Sequence, residues 1–262
     1  MNVMEVIRTR KSVRTFDGRQ LTDEDRKALE SYAKTITNPY GIPVNFLFLD
    51  AEEHSLSSPV INGEHLYVAG KVPKIPGFEV AFGYSFEKLV LYAWSRGIGT
   101  TWIGGTMDRE LFEKETETKE DEFMPIVSPL GYPAEKKAAV DIKLRETVHG
   151  DERLDPKELF YVNDFSTPIS MDDYDNALEV VRWSPSAVNI QPCRVIKDGS
   201  DFHFYKRHAD SYQRKVPWDV QAIDIGIAIC HFMSVTDGKF SIEDPGIKVD
   251  DKTEYIATVT KN

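Results

Sequence analysis

The chain has 262 residues, of which 41% are hydrophobic and 29% are charged, the composition of a folded protein with a sizeable core rather than a disordered one. Its formal net charge of -11 at pH 7 argues against a general nucleic-acid-binding surface, so any anion site must be local. Cys193 and Cys230 form no CxxC pair, no apolar run reaches the roughly 18 residues of a membrane span, and the first residues lack the apolar core of a signal peptide. We therefore expect a cytoplasmic protein with no membrane partner.

Helices and strands alternate through the first 135 residues. Thr22 and Asp25 predict a helix start, and the Asn38-Pro39-Tyr40-Gly41 turn should end that helix. Strands are predicted at 45–50 and 65–71, a long helix at 78–96, and short strands at 99–103 and 124–130 on either side of a helix near 108–114. This alternation predicts a layered α/β or α+β fold.

A shorter version of the same order follows a polar stretch at 163–173. A helix at 174–183 runs into a proline-containing loop and a strand, as the helix after Thr22 does. A second helix has apolar residues on one face, namely Ala222, Ile225, Ile229 and Phe232. We interpret this as a weak internal duplication. The alternative is that helix, loop and strand recur in any layered fold.

A run of basic residues lies close to the start of this otherwise acidic chain. Its members are Arg8, Arg10, Lys11, Arg14 and Arg19, with Ser12 among them. Guanidinium and hydroxyl groups near a helix end can converge on a phosphate. The alternative is a solvated basic face.

The densest glycine stretch is Gly97-Ile98-Gly99-Thr100-Thr101-Trp102-Ile103-Gly104-Gly105. It is not a dinucleotide fingerprint, because the GxGxxG spacing would require glycine where Trp102 stands. Gly104 and Gly105 would let backbone amides approach a flat ligand closely. An ordinary connection between a helix and a strand is the alternative.

The loop Ser184-Pro185-Ser186-Ala187-Val188-Asn189-Ile190-Gln191-Pro192 is rigid and rich in hydrogen-bonding groups. It could line a ligand that needs donors and acceptors, or it could be a helix-capping turn. Other reaction classes find less support, because there is no HExxH metal motif and no GxSxG nucleophile motif. We expect no metal.

Four segments together resemble the nitroreductase family of FMN proteins. They are 10–16 (RKSVRTF), the glycine stretch 97–105, the segment 129–136 (PLGYPAEK) and the serine-proline loop 184–192. The resemblance implies an α+β fold with a central mixed β-sheet flanked by helices, and an FMN held at a two-subunit interface.

The order of these segments differs from that of ordinary members. In those proteins the serine-proline loop follows the first long helix, whereas here residues 38–43 stand in that place and the loop lies in the second half. The second half in turn lacks the arginine and Gly-Gly segments. We therefore expect an internally duplicated, monomeric pseudo-dimer, with a first half at 1–165, a shorter second half at 166–262 and one composite FMN site between them.

The resemblance assigns the site residue by residue. Phosphate contacts are expected from Arg10, Lys11, Ser12, Arg14, Lys143 and Arg145. Gly104 and Gly105 would lie beside the flavin ring, and Pro185, Ser186, Ala187 and Asn189 would close the site from the second half. No side chain is expected to be catalytic, because flavin N5 carries the chemistry. Tyr40, Phe123 and Trp218 are suggested for the acceptor pocket.

The function that follows is an FMN-dependent oxidoreductase of nitroreductase type. Hydride would pass from NAD(P)H to the flavin and then to a nitroaromatic, quinone or similar small electron-poor acceptor, in a ping-pong sequence. The alternatives are a flavin-binding or structural protein without turnover, and another flavin chemistry such as reductive dehalogenation. The sequence does not separate NADH from NADPH.

Overall fold

The computed structural model describes residues 2–209 and 216–262. Its helices are α1 (Val3–Thr9), α2 (Asp23–Ala33), α3 (Phe78–Ser95), α4 (Arg109–Glu115), α5 (Ala139–Thr147), α6 (Pro156–Leu159), α7 (Asn176–Arg182) and α8 (Val220–Val235). Its strands are β1 (Asn45–Asp50), β2 (Leu66–Pro73), β3 (Glu122–Phe123), β4 (Val127–Leu130), β5 (Phe160–Val162), β6 (Cys193–Asp198), β7 (Asp201–Arg207), β8 (Gly238–Ser241) and β9 (Thr253–Lys261). Among these described residues, no helix is long and apolar enough to cross a membrane.

The strands form two sheets, so the α+β class is confirmed. In the first sheet β2 pairs antiparallel with β1, β3 and β4. The second sheet has the order β5-β6-β7-β9-β8 and is mixed, because β5 runs parallel to β6 while the other pairs are antiparallel. The resemblance implied one central mixed sheet, whereas the structure has two sheets, of which the second is mixed.

Helices α3 and α8 pack against each other between the two sheets, and both are apolar on nearly every face. Their backbones approach closely at Gly83 and Gly226. A Cβ at Gly83 would overlap the carbonyl oxygen of Ile223, and a Cβ at Gly226 would overlap that of Val80. Each glycine thus lies against the carbonyl three residues before the other glycine. Such reciprocal contact is the mark of a two-fold axis.

Helix α1 crosses from the first part of the chain to the core of the second. Val6 and Ile7 are buried in the same apolar cluster as Leu178 of α7 and Ile229 of α8. The first sheet packs instead on a cluster that includes Leu29, α3 and part of α8. The segment that follows α1 is therefore held beside the contact between α3 and α8.

Candidate functional site

The basic segment after α1 runs in an extended conformation beside the glycine stretch. The backbone N–H of Val13 donates to the carbonyl oxygen of Thr100 at 2.8 Å, and Ser12 is bridged to Thr100 in parallel fashion. This approach requires Gly99, since a Cβ there would lie 2.8 Å from Val13. The structure thus brings two of the motifs singled out in the sequence into direct contact.

Arg10 is the most deeply buried cation of this segment. Its side chain is 4% exposed, and its Nε lies 3.7 Å from Oε1 of Glu87, beyond hydrogen-bond distance. Both Nε and Nη1 are buried without a hydrogen-bond partner. Burial lowers the pKa of Arg10, with Glu87 opposing that effect and Arg145 adding to it. Buried N–H groups of a cation without acceptors indicate a place for an anion.

Arg14 follows Arg10 by four residues in the same segment and is also largely buried. Its Nη1 is 3.6 Å from Oδ1 of Asp141, which has no hydrogen-bond partner. Burial lowers the pKa of Arg14, while Asp141 raises it and Arg145 lowers it further. A single, loosely paired carboxylate therefore faces this side of the cluster.

Two further arginines complete the cluster from the segment 145–153. Arg145 is held in a bidentate pair by Asp151, with its Nε 2.8 Å from Oδ2 and a second bond from Nη2. The pKa of Arg153 falls to about 10, first because the side chain is buried and then because Arg10 and Arg145 repel its charge. The pKa of Arg145, in contrast, is raised, first by its hydrogen bond with Asp151. Repulsion from neighbouring guanidinium groups, which lowers the pKa of Arg10 and Arg153, marks a locally positive site within an acidic protein.

The serine-proline loop of the second half meets this cluster through Arg153. The side-chain amide of Asn189 donates to the carbonyl oxygens of His149 at 2.8 Å and Glu152 at 3.1 Å. Nη1 of Arg153 lies 3.4 Å from Oδ1 of Asn189. The segment 149–153 and the serine-proline loop are thus in direct contact.

The backbone of this loop is strained. Val188, Asn189 and Gln191 have φ values of 44°, 60° and 52°, in the left-handed region that a β-branched residue such as valine rarely adopts. Strain of this kind collects at ligand sites and persists only where neighbouring contacts hold it.

Contacts within the loop and from α8 hold that conformation. Ser186 Oγ accepts the N–H of Gln191 at 2.8 Å, and the backbone N–H of Ala187 donates to both carboxyl oxygens of Asp224, at 3.1 and 3.2 Å. Pro185 lies next to Ser186 and lines a small void of about 10 Å³ with Asp224. Asp224 therefore anchors the loop on the helix at the centre of the molecule.

Gly104 and Gly105 form the bend after Ile103. The carbonyl oxygen of Gly104 accepts a bond from Arg109 at 3.0 Å. The guanidinium of Arg109 lies over the ring of Trp218 at 4.7 Å, and Trp218 in turn contacts Phe123 with ring centroids 5.3 Å apart.

Two of the three residues suggested for the acceptor pocket therefore lie together beside the glycines. Tyr40 packs on Phe240 instead, with ring centroids 5.0 Å apart.

An open basin of about 460 Å³ adjoins the arginine cluster. Lys11 and Arg145 line it, together with Lys137, Ile142, Glu146, His149, Gly150, Asp151 and Glu152. Lys143 lies on the same helix as Arg145 but is exposed and does not line the basin. Of the two basic residues expected from α5, only Arg145 thus joins the cluster.

Three residues of the site carried no motif in the sequence. Arg153 stands alone in an acidic stretch and gave no signal. Glu87 and Asp224 lie inside α3 and α8, and a carboxylate in the middle of an apolar helix could have been recognised as a buried polar group that needs partners. Within the described ranges, the side chains of His, Cys, Asp and Glu form no group of three or more that could hold a metal ion.

The chain is similar in fold to known proteins. A Thermotoga maritima structure described as a "putative nitroreductase" is 17% identical, with a TM-score of 0.65 over 100% of this chain and 94% of that one. A nitroreductase family protein of Clostridium difficile 630 is 14% identical, with a TM-score of 0.48 over 60% of this chain and 96% of that one. An FMN-dependent nitroreductase of Clostridium difficile R20291 is 15% identical, with a TM-score of 0.44 over 51% of this chain and 89% of that one.

No protein with curated annotation matches the chain in sequence. A family model described as "Putative TM nitroreductase" matches residues 2–235, which include α1, both glycines of the helix crossing and the whole arginine cluster. The chain therefore belongs to this nitroreductase family.

Proposed function

We propose that the protein is an FMN-dependent oxidoreductase that takes hydride from NAD(P)H and reduces a nitroaromatic, a quinone or a similar electron-poor acceptor. One observation supports the cofactor most directly. Arg10 is buried with two unpaired nitrogen atoms near Arg145 and Arg153, and Arg145 also lies near Arg14. A phosphate would supply the acceptors and the negative charge that this cluster lacks.

The residues present fit both the phosphate and the ring of FMN. Arg10, Arg14 and Arg145 would hold the phosphate, with Ser12 as a further donor. The bend at Gly104 and Gly105 offers backbone without side chains for the ring, and the strained loop at 185–189 would close the site. FMN, when bound, supplies a ring nitrogen, N5, that accepts hydride and passes it on. The arginines would add positive charge that favours a reduced, anionic ring.

We further propose that the composite site lies in a monomeric pseudo-dimer with halves at 1–165 and 166–262. The reciprocal contacts of Gly83 and Gly226 and the contact of Asn189 with Arg153 support this arrangement. Strand β5 lies before residue 165 but pairs with β6, so the second sheet begins inside the first half.

The phosphate assignment is tested by comparing FMN with riboflavin, which lacks the phosphate. We expect Arg14→Ala to weaken FMN binding at least tenfold, because a charge-assisted hydrogen bond contributes about 1.5–3 kcal/mol. Riboflavin binding should not change. The matched control is Arg19→Ala, whose side chain is 71% exposed and pairs with Asp17. Unchanged FMN affinity in Arg14→Ala would refute the assignment.

The oxidoreductase activity is tested separately, with the flavin-loaded protein under anaerobic conditions. Addition of NADH or NADPH should bleach the visible flavin absorption, and addition of a quinone should restore it. A bound flavin that neither nicotinamide bleaches would refute the proposed hydride transfer while leaving the cofactor site in place.

A further inference from the structure

Glu87 lies near the middle of α3 and is fully buried against α8. Its Oε1 is 2.9 Å from Nε2 of His231 and 3.7 Å from Nε of Arg10. Its Oε2 accepts a hydrogen bond from Nε1 of Trp102 at 3.2 Å. One carboxyl group thus contacts the cation of the arginine cluster, the segment that leads to Gly104, and helix α8.

The hydrogen bonds of His231 fix where its protons are. Its Nδ1 lies 2.9 Å from the carbonyl oxygen of Val180, which can only accept, so Nδ1 carries a proton. The short contact between Nε2 and Oε1 of Glu87 requires one more proton, which lies either on the imidazole or on the carboxyl group. In both arrangements His231 and Glu87 together carry no net charge.

The neutrality of the His231–Glu87 pair explains why two nitrogen atoms of Arg10 have no hydrogen-bond partner. The carboxyl group is engaged by His231 and Trp102, and Arg10 keeps Nε and Nη1 without a hydrogen bond although Glu87 lies nearby. Nε and Nη1 of Arg10 therefore have no hydrogen-bonded anion of their own. A buried cation in that state is costly unless an anion joins it.

We infer that His231 is a positioning residue for the anion site: by neutralising Glu87, it leaves the charge of Arg10 available for the phosphate of the cofactor. The inference rests on the proposed function, since it assumes that the anion is the phosphate of FMN. It also gives the second half a role in phosphate binding through α8, at a site where the basic residues all come from the first 153 positions.

The test is the ratio of FMN affinity to riboflavin affinity in the full-length protein, measured by quenching of flavin fluorescence. His231→Leu removes the neutralising partner, so Glu87 becomes the counter-ion of Arg10 and the ratio should fall at least tenfold. Glu87→Gln removes the competing charge but can still accept from Trp102 and donate to a neutral His231, so the ratio should stay within threefold of wild type or rise.

The double variant Glu87→Gln/His231→Leu separates this account from simple damage to the core. We expect its ratio to return to that of Glu87→Gln, because no carboxylate is left to neutralise. If the two residues only filled space, the double variant would have the lowest ratio of the three, and that result would overturn the inference.

Two further outcomes distinguish failure of this inference from failure of the phosphate assignment. FMN selectivity that persists in His231→Leu would overturn this inference alone, whereas a wild-type protein that binds FMN and riboflavin equally would overturn the phosphate assignment as well. If His231→Leu does not fold, Glu87→Gln alone still tests the inference. Loss of FMN selectivity in Glu87→Gln would show that the phosphate site needs the carboxylate charge, and would overturn the inference.

Discussion

Asp224 is a buried carboxyl group, and burial raises its pKa well above the usual value, with Asp219 adding to the shift. A raised pKa means that the protonated form is favoured by folding, so this contribution is complete at acidic pH and is lost as pH rises through the raised pKa. Asp224→Asn keeps an acceptor for the N–H of Ala187 and removes the charge.

We therefore expect Asp224→Asn to be more stable than wild type at pH 7, with a gain that shrinks at pH 4.5. Urea unfolding at the two pH values measures this. Asp224→Ala is the control, because it leaves a buried N–H of Ala187 unpaired and should cost about 1–3 kcal/mol. Equal losses in both variants at both pH values would contradict the explanation.

The pKa of Asp25 is shifted in the opposite direction, below its usual value. Burial alone would raise its pKa, but hydrogen bonds from Tyr132, Arg96 and Thr22 lower it overall. Its contribution to stability is therefore present above its ordinary pKa and lost as pH falls through the lowered value. Asp25→Asn should cost about 1–2 kcal/mol at pH 7 and progressively less as the pH falls below the ordinary pKa of an aspartate.

Urea unfolding of Asp25→Asn, with Asp23→Asn as an exposed control in the same helical turn, measures that difference. A cost that does not depend on pH would show that packing, and not the charge of Asp25, accounts for it.

The crossing of α3 and α8 depends on two glycines. Gly226→Ala would place a methyl group against the carbonyl oxygen of Val80 and within 2.9 Å of the backbone N of Tyr84. Because backbone cannot move aside as a side chain does, we expect a loss of about 3 kcal/mol or more in the free energy of unfolding. Gly83→Ala should cost a similar amount.

Ser234→Ala, near the end of α8, is the control and should be nearly neutral. Thermal and urea unfolding of the three variants measure these effects. A stabilising effect of Gly226→Ala, as helix propensity alone would give, would contradict the close approach of the two helices.

The helices and strands that were predicted well are those that depend on residue patterns within the element itself. β1 was predicted at 45–50 and α3 at 78–96, and the structure has them at Asn45–Asp50 and Phe78–Ser95. The predicted strand at 99–103 makes only isolated bridges, because Gly99 brings it against the segment after α1. The division into two sheets and the pairing of β5 with β6 depend on contacts far apart in sequence, which no local pattern reports.

The same distinction applies to the site. Arg10 and Arg14 could be singled out because basic residues are conspicuous in an acidic chain. Arg153 and His231 could not, because each is brought to the cluster by a different element. Glu87 could be recognised as a buried carboxylate, but its contact with His231 depends on how α3 crosses α8.

Considered as one molecule, the protein has a single arginine cluster among its described residues that combines unpaired buried nitrogen atoms with a loop from the other half. The segment of the second half that corresponds by order to the basic run is the polar stretch at 163–173, which holds no arginine or lysine. The pseudo-symmetry of the helix crossing is therefore not matched by symmetry of charge. This asymmetry predicts one cofactor site and not two.

The most direct test is to purify the protein, saturate it with FMN, remove the excess, and count the flavin released per chain by its visible absorption. The account predicts one FMN per chain of 262 residues. Two per chain would contradict the single composite site, and none after incubation with excess FMN would contradict the proposed cofactor itself.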